Sequence, residues 1–469
     1  MIRFVVALAA FPVLALAQAP TYSLSLVHDS PFGGRANVVN DAGVVGGSVA
    51  TADPRGALDP SEAFLWQNGV VIWQGSLGVP TAGVGGLTEG GTAVGNAIAP
   101  DAPYEGEFAA FMRPAGGAIK AAPAPPIDGY RQVSYHGGIN EAGLAAIRHR
   151  VRTIATGGAN SPPYHVAVWN TITGEVSPLP HLSADSLYAR ATGVTASGVV
   201  VGAAVPGNGD IIHAVRWVPD ENGEYAIEDL GTLGGGTYSE VNAVNASGVM
   251  FGEATTADNG SAQPAMWEPD GTGRILPMPV GAAACGAYDI NSVGVGVGWC
   301  DIGRKPRAVV WIDDEPYDLN DRVDASAEGW SLTRAYGINT QGWIVGVGTR
   351  AGFVDSDGNP ENFGFLIRPV GSVASEAAPA AESLALTVAP NPTAGSTSVL
   401  FHLDASVPVR AEVLDARGRI VETLADESFA AGTYRIEWVG PSAGAASGVY
   451  VVRVRAGDLL ETRRIAVTR

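Results

Sequence analysis

Val244-Asn245-Ala246-Ser247-Gly248-Val249-Met250-Phe251-Gly252 is the stretch from which the fold can be read. Asn tolerates left-handed backbone and its side chain can bond its own main chain, so it opens a turn after Val244. Gly248, three residues on, supplies a positive φ at the far side. The apolar run that follows reads as a buried strand. A second glycine, Gly252, predicts that another backbone comes close there. Together these residues specify a β-hairpin.

The same pattern recurs along most of the chain. Upstream it reads Val39-Asn40 with Gly43 and Gly47, and Leu87-Thr88 with Gly91 and Gly95. Ile139-Asn140 follows with Gly143, where Ile147 replaces the second glycine, and then Val194-Thr195 with Gly198 and Gly202. Downstream are Ile290-Asn291 with Gly294 and Gly298, and Ile338-Asn339 with Gly342 and Gly346. Successive copies lie 46 to 55 residues apart. A third strand follows each hairpin, as in Ala63–Trp66, Val166–Trp169, His213–Trp217, Ala265–Trp267 and Ala308–Trp311. Turn residues such as Asn68-Gly69 then lead to a short fourth strand at Val70–Trp73, Ala226–Leu230 and Arg274–Leu276. Four strands in about fifty residues, seven times over, predict an all-β, seven-bladed β-propeller over residues 18–370. A linear solenoid is the structural alternative. The seventh copy has no evident fourth strand after Ile367, whereas residues 22–27 alternate like a strand. That segment is expected to complete the seventh blade and remove two open edges.

Cys285 and Cys300 flank the sixth hairpin. If Ile290 faces Val295 across the Asn291–Gly294 turn, the two cysteines stand directly opposite, within disulfide reach. No CxxC motif suggests a redox or metal role.

Composition narrows the function classes. The chain has 469 residues, 46% of them hydrophobic, with 62 Gly and 31 Pro. That excess suits many short strands separated by tight turns. The formal net charge of -19 disfavours nucleic acid as a partner. Met1-Ile2-Arg3 followed by apolar Phe4–Leu14 and Ala15-Leu16-Ala17 reads as a signal peptide over residues 1–17, cleaved between Ala17 and Gln18. No stretch reaches the roughly 18 apolar residues of a transmembrane helix.

Residues 371–383 have linker composition, and beyond them the texture changes. Strands are expected at Leu384–Val388, Ser398–Leu403, Val409–Leu414, Thr433–Trp438, Val449–Arg455 and Arg464–Val467. They predict a small Ig-like β-sandwich over residues 384–469. The module resembles the type A sorting domain of the type IX secretion system. The resemblance rests on Ala389-Pro390-Asn391-Pro392, Val413-Leu414-Asp415-Ala416-Arg417-Gly418, Gly432-Thr433-Tyr434, Ser447-Gly448-Val449-Tyr450 and the basic final strand Thr462–Val467. It implies passage through the periplasm, export by the type IX machinery to the medium or outer cell surface, removal of the module, and often attachment to surface lipopolysaccharide. An ordinary adhesion sandwich is the alternative. The repeats are similar to the HAF family of extracellular bacterial repeats, through Asp229-Leu230-Gly231-Thr232-Leu233-Gly234-Gly235, His213-Ala214-Val215 and His165-Val166-Ala167. That family implies an extracellular protein and no particular activity.

Motifs for chemistry are sparse. Asp355-Ser356-Asp357-Gly358-Asn359 offers oxygen ligands at alternate positions, making Asp355, Asp357 and Asn359 a calcium candidate, although the glycine spacing departs from an EF-hand. No other cofactor is expected. HExxH and GxSxG are absent, Gly234-Gly235-Gly236 has no following Lys, and His165 and His213 read as packing at equivalent repeat positions. A surface module binding a glycan or protein, or serving a structural role, is the expectation. The rival is a hydrolase of polysaccharide or peptide with carboxylates at the propeller mouth.

Overall fold

In the computed structural model, each copy of the Asn/Thr–Gly pattern joins the first two strands of a four-stranded antiparallel sheet. The structure describes residues 20–467, excepting 29, 31–32, 51–60, 80, 99–107, 124–133, 151–163, 185–187, 208–210, 259, 355–357, 371–383, 385, 390–392, 394–395, 404–406, 415–419, 430–431, 440–447 and 457–458. Two units, Met1–Gly371 and Ser372–Arg469, are each described by themselves.

Seven four-stranded sheets occupy the first unit among the described residues. Their first strands are Gly34–Val39, Ala82–Leu87, Ser134–Ile139, Ala189–Val194, Gly235–Val244, Ala282–Ile290 and Trp330–Ile338. Strands follow chain order across each sheet, so the first strand forms one edge. The seventh sheet departs from this rule. After Trp330–Ile338, Ile344–Val354 and Pro360–Val370, its fourth strand is Thr21–Leu26, with Thr21 opposite Val370 and Leu26 opposite Phe365. Each first strand touches the first strand of the next sheet, and the seventh touches the first. The seven therefore form the inner wall of a closed, propeller-like ring.

The turn chemistry explains the closure. Positive φ falls on the glycines, at 75° for Gly43 and Gly342 and 83° for Gly248, rather than on the asparagines. Each Asn instead works through both ends of its amide. Its Oδ1 accepts from the N–H four residues on, as from Val249 to Asn245 at 3.0 Å. Its Nδ2 donates to the turn of the following sheet. Asn245 bonds the carbonyl of Asn291, Asn291 that of Asn339, and Asn339 that of Asn40 across the seam. Asn40 bonds Thr88 and Asn140 bonds Thr195 in the same way. Thr88 and Thr195 close their own turns through Oγ1 but have no amide to pass on. Beside Thr88, Glu89 N–H donates to Glu141 Oε1 instead.

The second glycine has an equally local reason. A Cβ on Gly252 would lie 1.9 Å from the carbonyl oxygen of Glu240, and one on Gly202 would lie 1.8 Å from that of Arg190. Gly47, Gly95, Gly298 and Gly346 stand equally close to the inner strand beside them. At this level every inner strand shifts register, the third sheet included although Ile147 stands there in place of the glycine: between Ala36 and Val38, Val84 and Gly86, His136 and Gly138, Ala191 and Gly193, Val241 and Ala243, Ala287 and Asp289, and Ala335 and Gly337. The extra residue of the bulge reaches the neighbouring sheet. Asn37 Nδ2 bonds Val84 O, Thr192 Oγ1 bonds Val241 O, and Asn242 Nδ2 bonds Ala287 O. Third-strand tryptophans close the spaces between sheets. Trp217 and Trp311 are buried and donate to Pro180 O and Pro277 O.

The bulge also corrects the register expected for the sixth hairpin. Ile290 faces Gly296, not Val295, because the turn closes one residue later. The shift between Ala287 and Asp289 cancels that offset, and Cys285 ends directly opposite Cys300 with the two sulfurs bonded. Two local departures thus restore the predicted pairing.

In the second unit, strands Thr387–Ala389, Thr397–Leu403 and Gly432–Trp438 form one sheet. Val407–Leu414, Ile420–Phe429, Gly448–Ala456 and Leu459–Val467 form the other. Both contribute to one core containing Phe401, Val413, Trp438, Val452 and Ile465. The ten-residue strand Ile420–Phe429 is missing from the sequence-based assignment; its alternation is broken by Glu422, Asp426 and Glu427, which suggests a loop.

The belt should behave as a set of buried hydrogen bonds. Asn245→Ala removes an acceptor from its own turn and a donor from the next. It is expected to destabilise the ring by about 3 kcal/mol, seen as a lower midpoint in thermal unfolding. Asn222→Ala, in an exposed turn, serves as the control; equal midpoints for the two variants would exclude a structural role for the belt.

Candidate functional site

The bulges place seven equivalent residues at one level of the inner wall, each immediately before its bulge pair: Arg35, Gly83, Tyr135, Arg190, Glu240, Gly286 and Arg334. Their partners on the second strands include Asn96, Arg148, Glu253 and Trp299. Among the described residues, contacts between charged and aromatic side chains at this level run across the fourth to seventh sheets.

Glu240 is the most enclosed of them, at 1% exposure. Its Oε2 accepts from Arg190 Nη1 at 2.8 Å and from the Tyr238 hydroxyl at 2.7 Å. The same hydroxyl lies 3.2 Å from Glu253 Oε1. A phenol has one hydrogen and cannot serve both carboxylates fully. A protonated Glu253 resolves the conflict by donating to the phenol oxygen. Burial, and then the charge of Glu240, push Glu253 above the ordinary carboxylate range in the direction this requires. The same influences push Tyr238 up, so its phenol stays protonated. Glu240 Oε1 and Arg190 Nε are buried with no partner among the described residues.

Glycine makes room for the next part. A Cβ on Gly286 would meet Trp299 Nε1 at 2.3 Å and Glu253 Oε2 at 3.1 Å. Trp299 in turn carries the Arg334 guanidinium, 5.1 Å from its ring. Arg334 also lies close to Tyr288, whose ring is 5.0 Å from that of Tyr336. Tyr288 and Tyr336 are the bulge residues of the sixth and seventh sheets. The result is a continuous polar and aromatic surface from Arg190 to Arg334.

The turn end of the wall differs in sign. Asp41 accepts from Thr340 N, Glu89 from Asp41 N and Ala42 N, and Glu141 from Glu89 N. These carboxylates fasten neighbouring turns together.

The residues singled out from sequence fall elsewhere. Cys285 and Cys300 are paired inside the core of the fifth and sixth sheets. Asp355 and Asp357 of the calcium candidate lie outside the described residues, as do Ala17 and Gln18. Asn359 is exposed beside Gly358. Among the described residues no group of His, Cys, Asp and Glu is arranged to hold a metal ion.

His213 and His165 do not play one equivalent role. His213 Nδ1 contacts Asp229 at 2.8 Å. His165 stands opposite His149 across two strands and 3.0 Å from His181 Nε2. Burial, reinforced by His165, drives His149 and His181 down to about 4 each. Sequence reasoning missed both the histidine cluster and the inner-wall cluster. His165 and His181 are 16 residues apart and Arg190 and Glu240 are 50 apart, and only the bulge register reveals that Arg190, Glu240, Gly286 and Arg334 are equivalent.

No protein-family model matches the chain, and no curated protein matches it. Among solved structures it is similar to PorZ, an essential surface component of the type IX secretion system of Porphyromonas gingivalis. That match has 12% identity and a TM-score of 0.42, covering 94% of this chain and 61% of PorZ. The chain thus spans about three fifths of the PorZ chain. It is also similar to Trypanosoma rangeli sialidase, at 9% identity and a TM-score of 0.37 over 95% of this chain and 89% of the other. A xylan β-1,4-xylosidase from Bacillus halodurans matches at 9% identity and a TM-score of 0.29, over 82% and 89%. Similarities this loose assign no activity.

The histidines make stability sensitive to acid. A histidine depressed by folding contributes stability that is present above its unfolded value near 6.5 and lost as pH falls towards 4. Thermal midpoints should therefore drop between pH 6.5 and 4.5, and less steeply in His181→Gln. Parallel pH profiles for the two proteins would refute the assignment.

Proposed function

We propose that this chain is a secreted surface protein whose seven sheets are the blades of a β-propeller, with an Ig-like sorting module behind it that directs export by the type IX system. The propeller is a binding module, and its site is the inner-wall level that carries Arg190, Glu240, Glu253, Trp299 and Arg334. The observation that carries this reading is Glu240. Its carboxylate is clamped by Arg190 and Tyr238, and its second oxygen is enclosed. Such a group orders its neighbours better than it serves as a catalytic base. The aromatic and guanidinium groups around it suit recognition of a polar ligand.

Two measurements test this. A chain ending at residue 383 should accumulate in the periplasm of a type IX-competent host while the full chain reaches the cell surface; normal surface delivery of the truncated form would refute the sorting role. The purified full chain should bind members of a glycan array without hydrolysing them, and Arg334→Gln should weaken that binding at least tenfold. Hydrolysis of a bound glycan would favour the enzymatic alternative.

A further inference from the structure

The inner-wall level of this acidic protein concentrates positive charge. The fourteen register positions at that level hold Arg35, Arg148, Arg190 and Arg334 against Glu240 and Glu253. The whole chain carries a formal charge of -19. The arginines are also differently committed. Arg190 is bound to Glu240. Arg334 is held over Trp299, a contact that does not neutralise it. Arg35 is exposed and forms no ion pair among the described residues. Arg35 and Arg334 occupy equivalent positions on the inner strands of the first and seventh sheets, which touch one another across the seam.

Resting on the binding reading above, we propose that this level recognises an acidic sugar, with the anionic group taken by Arg334 and Arg35. With Glu253 protonated, the charge excess at this level is three, enough for a few anionic groups and too small for a polyanion. A long polyanion would also meet the acidic exterior, whereas a short ligand within the ring is screened from it beyond about 8 Å at physiological salt. Sugar hydroxyls match the other residues. Trp299, Tyr288 and Tyr336 present aromatic surface, and Asn96 and Glu253 supply hydrogen-bonding groups on the second strands. An arginine held over an indole loses little freedom on gripping a carboxylate, so its orientation is prepared before the ligand arrives.

The test uses the full chain and four probes: a galacturonic acid trimer, the neutral galactose trimer, galacturonic acid alone and inorganic phosphate. Calorimetry should show the acidic trimer binding at least tenfold more tightly than the neutral one, with affinity falling as salt rises. Arg334→Gln and Arg35→Gln should each reduce that preference about tenfold. Because Arg35 is exposed, its replacement should leave the thermal midpoint unchanged, so loss of binding there cannot be put down to misfolding. Equal affinity for the two trimers would overturn the acidic-sugar assignment and leave the binding reading standing. Phosphate binding as tightly as the acidic trimer would reduce the site to a simple anion site and overturn it too. Failure of all four probes, together with an empty glycan array, would count against the binding reading itself.

Discussion

The ring depends on a side-chain amide that faces two ways. Each asparagine at the hairpin turn holds its own turn with its oxygen and the next sheet's turn with its nitrogen. The two bonds use opposite ends of a planar group, so a turn of the right shape also fixes the direction of its neighbour. The last amide, that of Asn339, reaches the carbonyl of Asn40. Local conformational choices thereby become conditions on five of the seven junctions between sheets: an amide whose neighbour sat at the wrong angle would leave a buried carbonyl unpaired, at a cost of about 1–3 kcal/mol.

The glycine on the second strand does for the middle of the wall what the asparagine does for its end. It lets a carbonyl of the inner strand come closer than any side chain would allow, and the strand bulges beyond that contact. The bulge turns one residue per sheet towards its neighbour. Where that residue is Asn or Thr it joins sheets by hydrogen bonds, and where it is Tyr288 or Tyr336 it contributes surface. Structure and recognition thus draw on one backbone device. The residues just before it are free to vary, and they hold arginine, glutamate, tyrosine or glycine as position requires.

Much of this architecture is visible in the sequence because its signals are local. Asn245, Gly248 and Gly252 mark a turn and a close approach within eight residues, and the third-strand tryptophans mark each sheet again. The exact turn length was not legible: Ile290 meets Gly296, and a bulge that no single residue announces returns Cys285 to Cys300. The same invisibility hid the candidate site. Arg190 and Glu240 look like unrelated surface charges until the register shift is known. His149, His165 and His181 meet through cross-strand pairing and a loop, neither of which has a spacing rule. Ile420–Phe429 was obscured for the opposite reason, since charged residues on an exposed face interrupt the apolar alternation.

Thr21–Leu26 gives the seventh sheet a peculiar place in time. Six sheets can be assembled from neighbouring segments as the chain emerges, each with contacts that span some fifty residues. The seventh unites the first strand with one of the last, and Gly364 N donates to His28 across 336 residues of chain. The entropy of closing so long a loop grows only slowly with length, but non-local pairing of this kind slows folding. Until that pairing forms, the circle is a stack with two bare edges. One strand pairing thus decides whether the sheets present bare edges to other chains or to each other.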